Sequence, residues 1–192
     1  MPEAFFDSEK SRGLHGMVGL SRVERLRSQM ARLQFDPMAL YEAIDLRRRE
    51  LGMTWKELAY ELRVSTSTIK GMTKRQWGIE LDGVMGMTRW LGRTVESFSG
   101  GDGGPPKSGV LTKSGRYTRF DTRVLYAAVD EQRQSRSLTW EQVALEVWPY
   151  GPWGPNQLKH LADGGRADVY SALAICGWLN RTILSFTHET MF

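Results

Sequence analysis

The sequence of 192 residues has little of what builds disulfide-rich, metal-binding or membrane proteins. It contains one cysteine, Cys176, which excludes an internal disulfide and a cysteine-rich zinc site. The three histidines, at positions 15, 160 and 188, lack the spacing of metal ligands. No stretch reaches the roughly 18 apolar residues of a membrane span, and the chain does not begin with a basic segment followed by an apolar one. We therefore expect no metal site, no membrane span and no secretory signal.

The sequence also lacks the residue patterns of common catalytic sites. It has no Ser/His/Asp, Cys/His or phosphate-loop arrangement, and GGDGG at 100–104 is not followed by the lysine and helix of a phosphate loop. The composition is that of a globular protein, with 41% apolar and 25% charged residues and a net charge of +4. We expect no enzyme activity and no cofactor. Because the net charge is small, the distribution of charge must indicate the partner.

An internal repeat dominates the sequence. Residues 35–62 align with residues 120–147 at a shift of 85, with eleven of 28 positions identical, and 90–98 align with 178–186 at a shift of 88. The identical pairs in the longer segment are Phe35/Phe120, Asp36/Asp121, Leu40/Leu125, Tyr41/Tyr126, Ala43/Ala128, Asp45/Asp130, Arg48/Arg133, Thr54/Thr139, Trp55/Trp140, Ala59/Ala144 and Glu61/Glu146. Such spacing indicates a duplicated domain.

The repeat divides the chain into five segments. Residues 1–34 form an amino-terminal arm with a short basic helix, and 35–98 form the first domain. Residues 99–119, rich in glycine and proline, are a linker because such a composition does not pack into a core. The second, divergent domain covers 120–187, and 188–192 are a tail.

Each repeat is predicted to fold into four or five short helices. Asp36 and Asp121 are suited to cap the first helices, and Thr54 and Thr139 open capping boxes for the second. A third helix begins at Ser65, a fourth covers 81–92 and 169–180, and a short fifth follows near Thr94 and Thr182. No segment of strand length alternates in polarity. The predicted fold class is all-α, with two tandem small helical bundles joined by a basic Gly/Pro-rich linker.

The segment TWKELAYELRVSTSTIKGM resembles the helix-turn-helix of the Cro/C1-type repressors. Ala59 matches the small residue of the first motif helix, Val64 the apolar residue after the turn, and Ile69 and Met72 the buried positions of the recognition helix. Arg63 departs from the pattern, which usually has glycine at the turn. The resemblance implies that the helix after Ser65 enters the major groove of DNA.

The second repeat departs from this motif after Val147. Its turn, WPYGPWG, is longer, and the following helix GPNQLKHLADGG offers Leu158 and Leu161 as the buried pair. Tandem chains of this kind resemble regulators of actinobacteria and their temperate phages, including immunity repressors. That resemblance implies a transcriptional repressor in the bacterial cytoplasm or nucleoid.

The candidate DNA-binding residues of the first repeat lie on and just after its recognition helix. They are Ser65, Thr66, Ser67, Thr68, Lys70, Gly71, Lys74 and Arg75. The segment 63–75 has four basic residues and no acid, and the hydroxyls at a helix start can bind phosphates or base edges. The resemblance implies base reading by Thr66, Ser67, Lys70 and Gly71. A merely solvated helix face is the alternative.

The other candidates lie in the second repeat and the linker. In the second repeat they are Asn156, Gln157, Lys159, His160 and Arg166, where the two amides can pair with adenine. The alternative is a degenerate repeat kept for packing or dimerisation. In the linker they are Lys113, Arg116 and Arg119, which can follow phosphates or the minor groove, or serve solubility.

The predicted function is sequence-specific binding of double-stranded DNA as a transcriptional repressor. Two motifs in one chain remove the need for a homodimer, and their different recognition helices predict an asymmetric site bound by a monomer. We expect no membrane partner and no small-molecule ligand. The alternative is that the first domain binds DNA while the second dimerises or recruits a protein. The roles of the arm and of Trp148, Tyr150 and Trp153 stay open.

Overall fold

The computed structural model describes residues 34–74, 78–100, 117–147 and 154–190, which are mostly helical. The helices of the first repeat are α1 (Pro37–Glu50), α2 (Trp55–Leu62), α3 (Thr66–Gly71) and α4 (Leu81–Trp90), with 3-10 turns at Met72–Lys74 and Val95–Phe98. Those of the second are α5 (Thr122–Ser135), α6 (Trp140–Val147), α7 (Pro155–His160) and α8 (Val169–Leu179), with 3-10 turns at Leu161–Asp163 and Ile183–Phe186. Within these ranges, no helix combines the length and the apolar character needed to cross a membrane.

The helices start where the sequence predicts. Asp36 accepts hydrogen bonds from the backbone N–H groups of Met38 and Ala39, both at 2.9 Å, and Asp121 caps α5 in the same way. Thr54 forms a reciprocal capping box with Glu57, whose carboxylate accepts from the Thr54 backbone N–H at 2.7 Å. These caps satisfy backbone donors that the first helical turn leaves unpaired. The predicted starts of α1, α2 and α5 are therefore confirmed, and α3 begins at Thr66, one residue after the predicted Ser65, which caps it.

An aromatic clamp joins α1 to α2. The rings of Tyr41 and Trp55 stack with centroids 5.3 Å apart, and the Arg48 guanidinium lies 4.5 Å above the Trp55 ring. Arg48 also donates to the Met53 carbonyl at 2.6 Å and to Asp45, and this hydrogen bond is the main cause of the lowered pKa of the Asp45 carboxyl. The second repeat builds the same clamp from Tyr126, Asp130, Arg133 and Trp140.

The mostly helical fold is compatible with the all-α prediction, and a small two-stranded antiparallel sheet adds to it. Strand β1 (Tyr117–Phe120) pairs with β2 (Thr187–Thr190), so residues assigned to the end of the linker and to the tail lie in regular structure. The sequence gives no sign of it because the described strand side chains include only one that is buried, Phe120. Backbone hydrogen bonds, rather than an apolar face, hold these strands. In the first repeat the equivalent contact is a single bridge between Phe35 and Ser99.

The two repeats contact each other through a short antiparallel bridge just before α4 and α8. The Leu81 N–H donates to the Ala167 carbonyl, and the Val169 N–H donates to the Ile79 carbonyl, both at 2.9 Å. The repeat alignment makes Leu81 equivalent to Val169 and Ile79 equivalent to Ala167. The two hydrogen bonds are therefore equivalent, and a local half-turn relates the two segments that they join.

A second pair of contacts obeys the same half-turn. The Phe120 N–H donates to the Asp82 carboxylate at 3.0 Å. At the equivalent positions, Phe35 and Tyr170 meet edge to face with ring centroids 5.9 Å apart. The side chains differ while the positions correspond, so the pairing of the repeats is symmetric even where the chemistry has diverged.

The repeats contact each other at both ends of α4 and α8. Both helices begin at the bridge, and the 3-10 turns that follow them meet again where the Glu96 carboxylate accepts from the Ile183 N–H at 2.7 Å. The buried apolar side chains of both repeats form one continuous core. The arrangement is that of a twofold dimer built within one chain.

Asp168, at this interface, provides a test of the packing. Burial raises the pKa of its carboxyl, while its side chain caps α8 by accepting from the Ser171 N–H at 3.1 Å. A carboxyl with a raised folded pKa gives stability that is lost as the pH rises through that value. We expect Asp168→Asn, which keeps the cap, to be at least as stable as the parent at pH 7.

Thermal unfolding between pH 4 and pH 7 checks this expectation, because the advantage of Asp168→Asn should shrink toward acid pH. Asp168→Ala is the matched control, since it loses the cap and should cost about 1 kcal/mol. A parent protein much more stable than Asp168→Asn at pH 7 would contradict the buried-carboxylate account.

Candidate nucleic-acid interface

The predicted recognition helix of the first repeat, α3, combines buried apolar residues with exposed polar ones. Ile69, and Met72 just after the helix, are buried, with 0% and 2% of their surface exposed. The predicted site residues occupy the remaining positions of α3 and its two ends: Ser65, Ser67, Thr68, Lys70 and Lys74 are exposed, and Thr66 and Gly71 are half-buried. Seven of the predicted residues therefore lie on or directly beside this one short helix.

Hydroxyl groups at the start of α3 form a small network. The Ser65 side chain caps the helix by accepting from the Thr68 N–H at 2.9 Å. Its Oγ also lies 2.7 Å from Ser67 Oγ and 2.7 Å from Thr68 Oγ1. Hydroxyls both donate and accept, so this cluster can bind phosphate oxygens or base edges.

The aromatic clamp extends to the recognition helix. Lys70 Nζ lies 5.8 Å from the centroid of the Trp55 ring, on which Arg48 also lies. A cation over an aromatic face gains about 0.5–1 kcal/mol at an exposed site. The clamp therefore helps to orient the one basic side chain within α3.

The predicted recognition helix of the second repeat, α7, presents different side chains. Leu158 is fully buried, while Asn156 and Lys159 are exposed. The Gln157 side-chain carbonyl accepts from the Gly154 N–H, and His160 Nδ1 lies 2.8 Å from the Asp163 carboxylate. Two of the predicted DNA-binding side chains, Gln157 and His160, thus already have partners within the protein, which leaves Asn156 and Lys159 as the more available ones.

Two further predicted residues lie in a groove between the repeats. Arg166 forms an ion pair with Glu80 of the first repeat, Nε to Oε1 at 3.2 Å, and Arg119 is on β1 opposite His188. The groove, with a volume of about 850 Å³, also contains Ser65 and Thr68 from the edge of the α3 surface. Arg119 thus lies at a fixed place in a strand rather than in a linker.

The groove also contains basic residues that the sequence analysis did not select. Arg63 and Arg123 line it, alongside the acids Glu80, Asp82, Asp121 and Asp163. Arg63 has φ 52°, the left-handed conformation for which the motif usually has glycine. The sequence signal that could have identified Arg63 as a candidate is an arginine at a position where the motif favours glycine.

Several predictions fall outside the described residues. These are Arg75, Lys113, Arg116, the arm up to residue 33, and Trp148, Tyr150 and Trp153 of the longer turn. Among the residues that are described, no cluster of three or more His, Cys, Asp or Glu side chains could hold a metal ion.

Comparison of the chain with protein-family models, with curated proteins and with solved structures gave no match.

The cap at Ser65 allows folding and binding to be separated. Aspartate caps helices as well as serine does, so Ser65→Asp should keep the stability of the parent, while Ser65→Ala should lose about 1 kcal/mol. If a DNA phosphate lies beside this helix start, the new carboxylate should lower DNA affinity by about tenfold or more. Thermal unfolding and DNA titration measure the two effects.

Thr182→Asp is the matched control, because Thr182 also begins a short helical turn but belongs to neither recognition helix. It adds the same charge and should leave DNA affinity nearly unchanged. Equal affinities for Ser65→Asp and the parent protein would remove Ser65 from the interface.

Proposed function

We propose that this protein is a sequence-specific double-stranded DNA-binding protein that acts as a transcriptional repressor, one chain binding an asymmetric site with both repeats. The surface of α3 is the primary reading surface. Basic side chains hold phosphates and set the register, and a few polar side chains read base edges.

One observation carries the proposal: α3 buries apolar side chains in the core, while the hydroxyls and lysines around them are exposed. From Arg63 to Lys74 there is no acidic residue, and the exposed members are Ser65, Ser67, Thr68, Lys70 and Lys74. Acids are abundant elsewhere, with 22 in the chain, so their absence here favours a polyanionic partner. The short helix pair α2 and α3, with its left-handed turn at Arg63, supports a helix-turn-helix reading.

A second candidate assigns DNA binding to the first repeat alone. It is favoured by the partners that Gln157 and His160 already have within the second repeat. The two candidates differ in the expected effect of Asn156→Ala and Lys159→Ala, which lower affinity only if α7 contacts DNA.

Selection of bound sequences from a random duplex pool, followed by titration against salt, tests the proposal. If roughly five to eight Lys and Arg side chains meet phosphates, log affinity should fall with log salt at a slope of about −4 to −7. A slope near zero, or no enriched sequence, would refute it.

Lys70→Ala should discriminate base reading from phosphate contact. Loss of a base contact costs about 1–3 kcal/mol at the selected site and much less on unrelated DNA. Lys56→Ala, which removes an exposed lysine from α2, is the matched control. Equal losses on all duplexes would assign Lys70 to a phosphate instead.

Arg63→Gly should raise the stability of the protein and lower its affinity for DNA. Glycine adopts the left-handed conformation readily, so we expect a gain of up to about 1 kcal/mol in the free energy of unfolding. If Arg63 meets a phosphate, the salt slope should fall by about one unit. Ser137→Gly, at the same φ of 52°, is the control and should leave the slope unchanged.

A further inference from the structure

We infer that the protein reads two inverted, non-identical half-sites at one fixed spacing, and that the interface between the repeats, rather than the linker, sets this geometry. The inference rests on the proposed function and defines the class of duplex that the protein recognises. It differs from a tethered pair of independent DNA-binding domains, which would accept several orientations and spacings.

The first step is the symmetry of the interface. The hydrogen bonds Leu81 to Ala167 and Val169 to Ile79 are equivalent under the repeat, as are the contacts of Asp82 with Phe120 and of Tyr170 with Phe35. Two copies of a reading unit related by a half-turn present their recognition helices in opposite directions. On DNA this corresponds to inverted half-sites, as in homodimeric helix-turn-helix proteins.

The second step is the equivalent position of the two recognition helices within their repeats. Ile69 of α3 and Leu158 of α7 are both fully buried, and each helix packs against the preceding helix of its own repeat. The half-turn that relates the scaffolds therefore also relates α3 to α7. Apart from Lys70 and Lys159, their exposed residues differ, so the half-sites are inverted in direction but different in sequence.

The third step is rigidity. The bridge, the ion pair of Arg166 with Glu80, the hydrogen bond of Glu96 with Ile183 and the shared core join the repeats at several places. Independent movement of the repeats would expose that core to water. The distance between α3 and α7 is thus a property of the folded protein, and only one spacing of half-sites fits it.

Synthetic duplexes built from the selected sequence test this with the full chain. The set contains the site as selected, the same site with one half reversed into a direct repeat, and sites with two base pairs added or removed between the halves. Loss of one half-site removes several base contacts at about 1–3 kcal/mol each, so each altered duplex should bind at least about tenfold more weakly. Equal binding of the direct repeat, or tolerance of the altered spacings, would overturn the inference.

A protein variant with a longer linker tests the same inference. Gly/Ser residues inserted within 101–116 to triple its length should change affinity less than twofold if the interface sets the geometry. For tethered domains, effective concentration falls with roughly the −3/2 power of length, giving about a fivefold loss. A fivefold loss would overturn the inference.

The outcomes separate the inference from the proposed function. Specific binding with relaxed orientation, or with a site read by one repeat alone, overturns the inference and leaves DNA binding intact. Absence of any selected sequence at low salt overturns both.

Discussion

Two backbone hydrogen bonds between segments 79–81 and 167–169 constrain the rest of the structure. Because they join equivalent positions, a half-turn relates the two segments, and α4 and α8 start side by side. The core then closes around those helices, and the 3-10 turns beyond them meet at Glu96 and Ile183. Backbone groups make this bridge, so side chains could diverge on either side of it without changing the pairing.

The identities between the repeats explain why much of the fold was predictable. Asp36, Tyr41, Arg48, Thr54 and Trp55 recur in the second repeat, and the structure uses them as a cap, an aromatic clamp and a capping box. These residues are close together along one helix or across one turn, so their interactions can be predicted from the local sequence. The predicted recognition helices share the buried pair Ile69/Leu158 and the exposed pair Lys70/Lys159, whereas Leu161, which was predicted to be buried, is only half-buried where Met72 is buried. Most repeated residues therefore account for the scaffold, and the divergent exposed ones distinguish the two candidate reading surfaces.

The parts that could not be predicted depend on contacts distant in sequence. The sheet joins residues 117–120 with 187–190 through backbone groups, and the interface joins positions about 88 residues apart. Neither the sheet nor the interface produces a periodic pattern of apolar residues in the sequence. The same limit applies to the candidate site. The exposed residues of α3 could be predicted from helical spacing. The ion pair of Arg166 with Glu80 could not, because it forms only when the two repeats pack together. The composition of the sequence suggests independent domains on a linker, and it gives no sign of the core that the two repeats share.

The covalent joining of two symmetric halves has a consequence for dose response. A homodimeric DNA-binding protein must first associate, so at concentrations below its dimerisation constant the active species falls with the square of the amount of chain. Here the partner of each half belongs to the same polypeptide and packs against it in every molecule. If one chain binds DNA as proposed, the fraction of sites occupied follows a simple hyperbola in protein concentration. Every molecule would then carry both halves of the proposed reading unit, even at very low concentration.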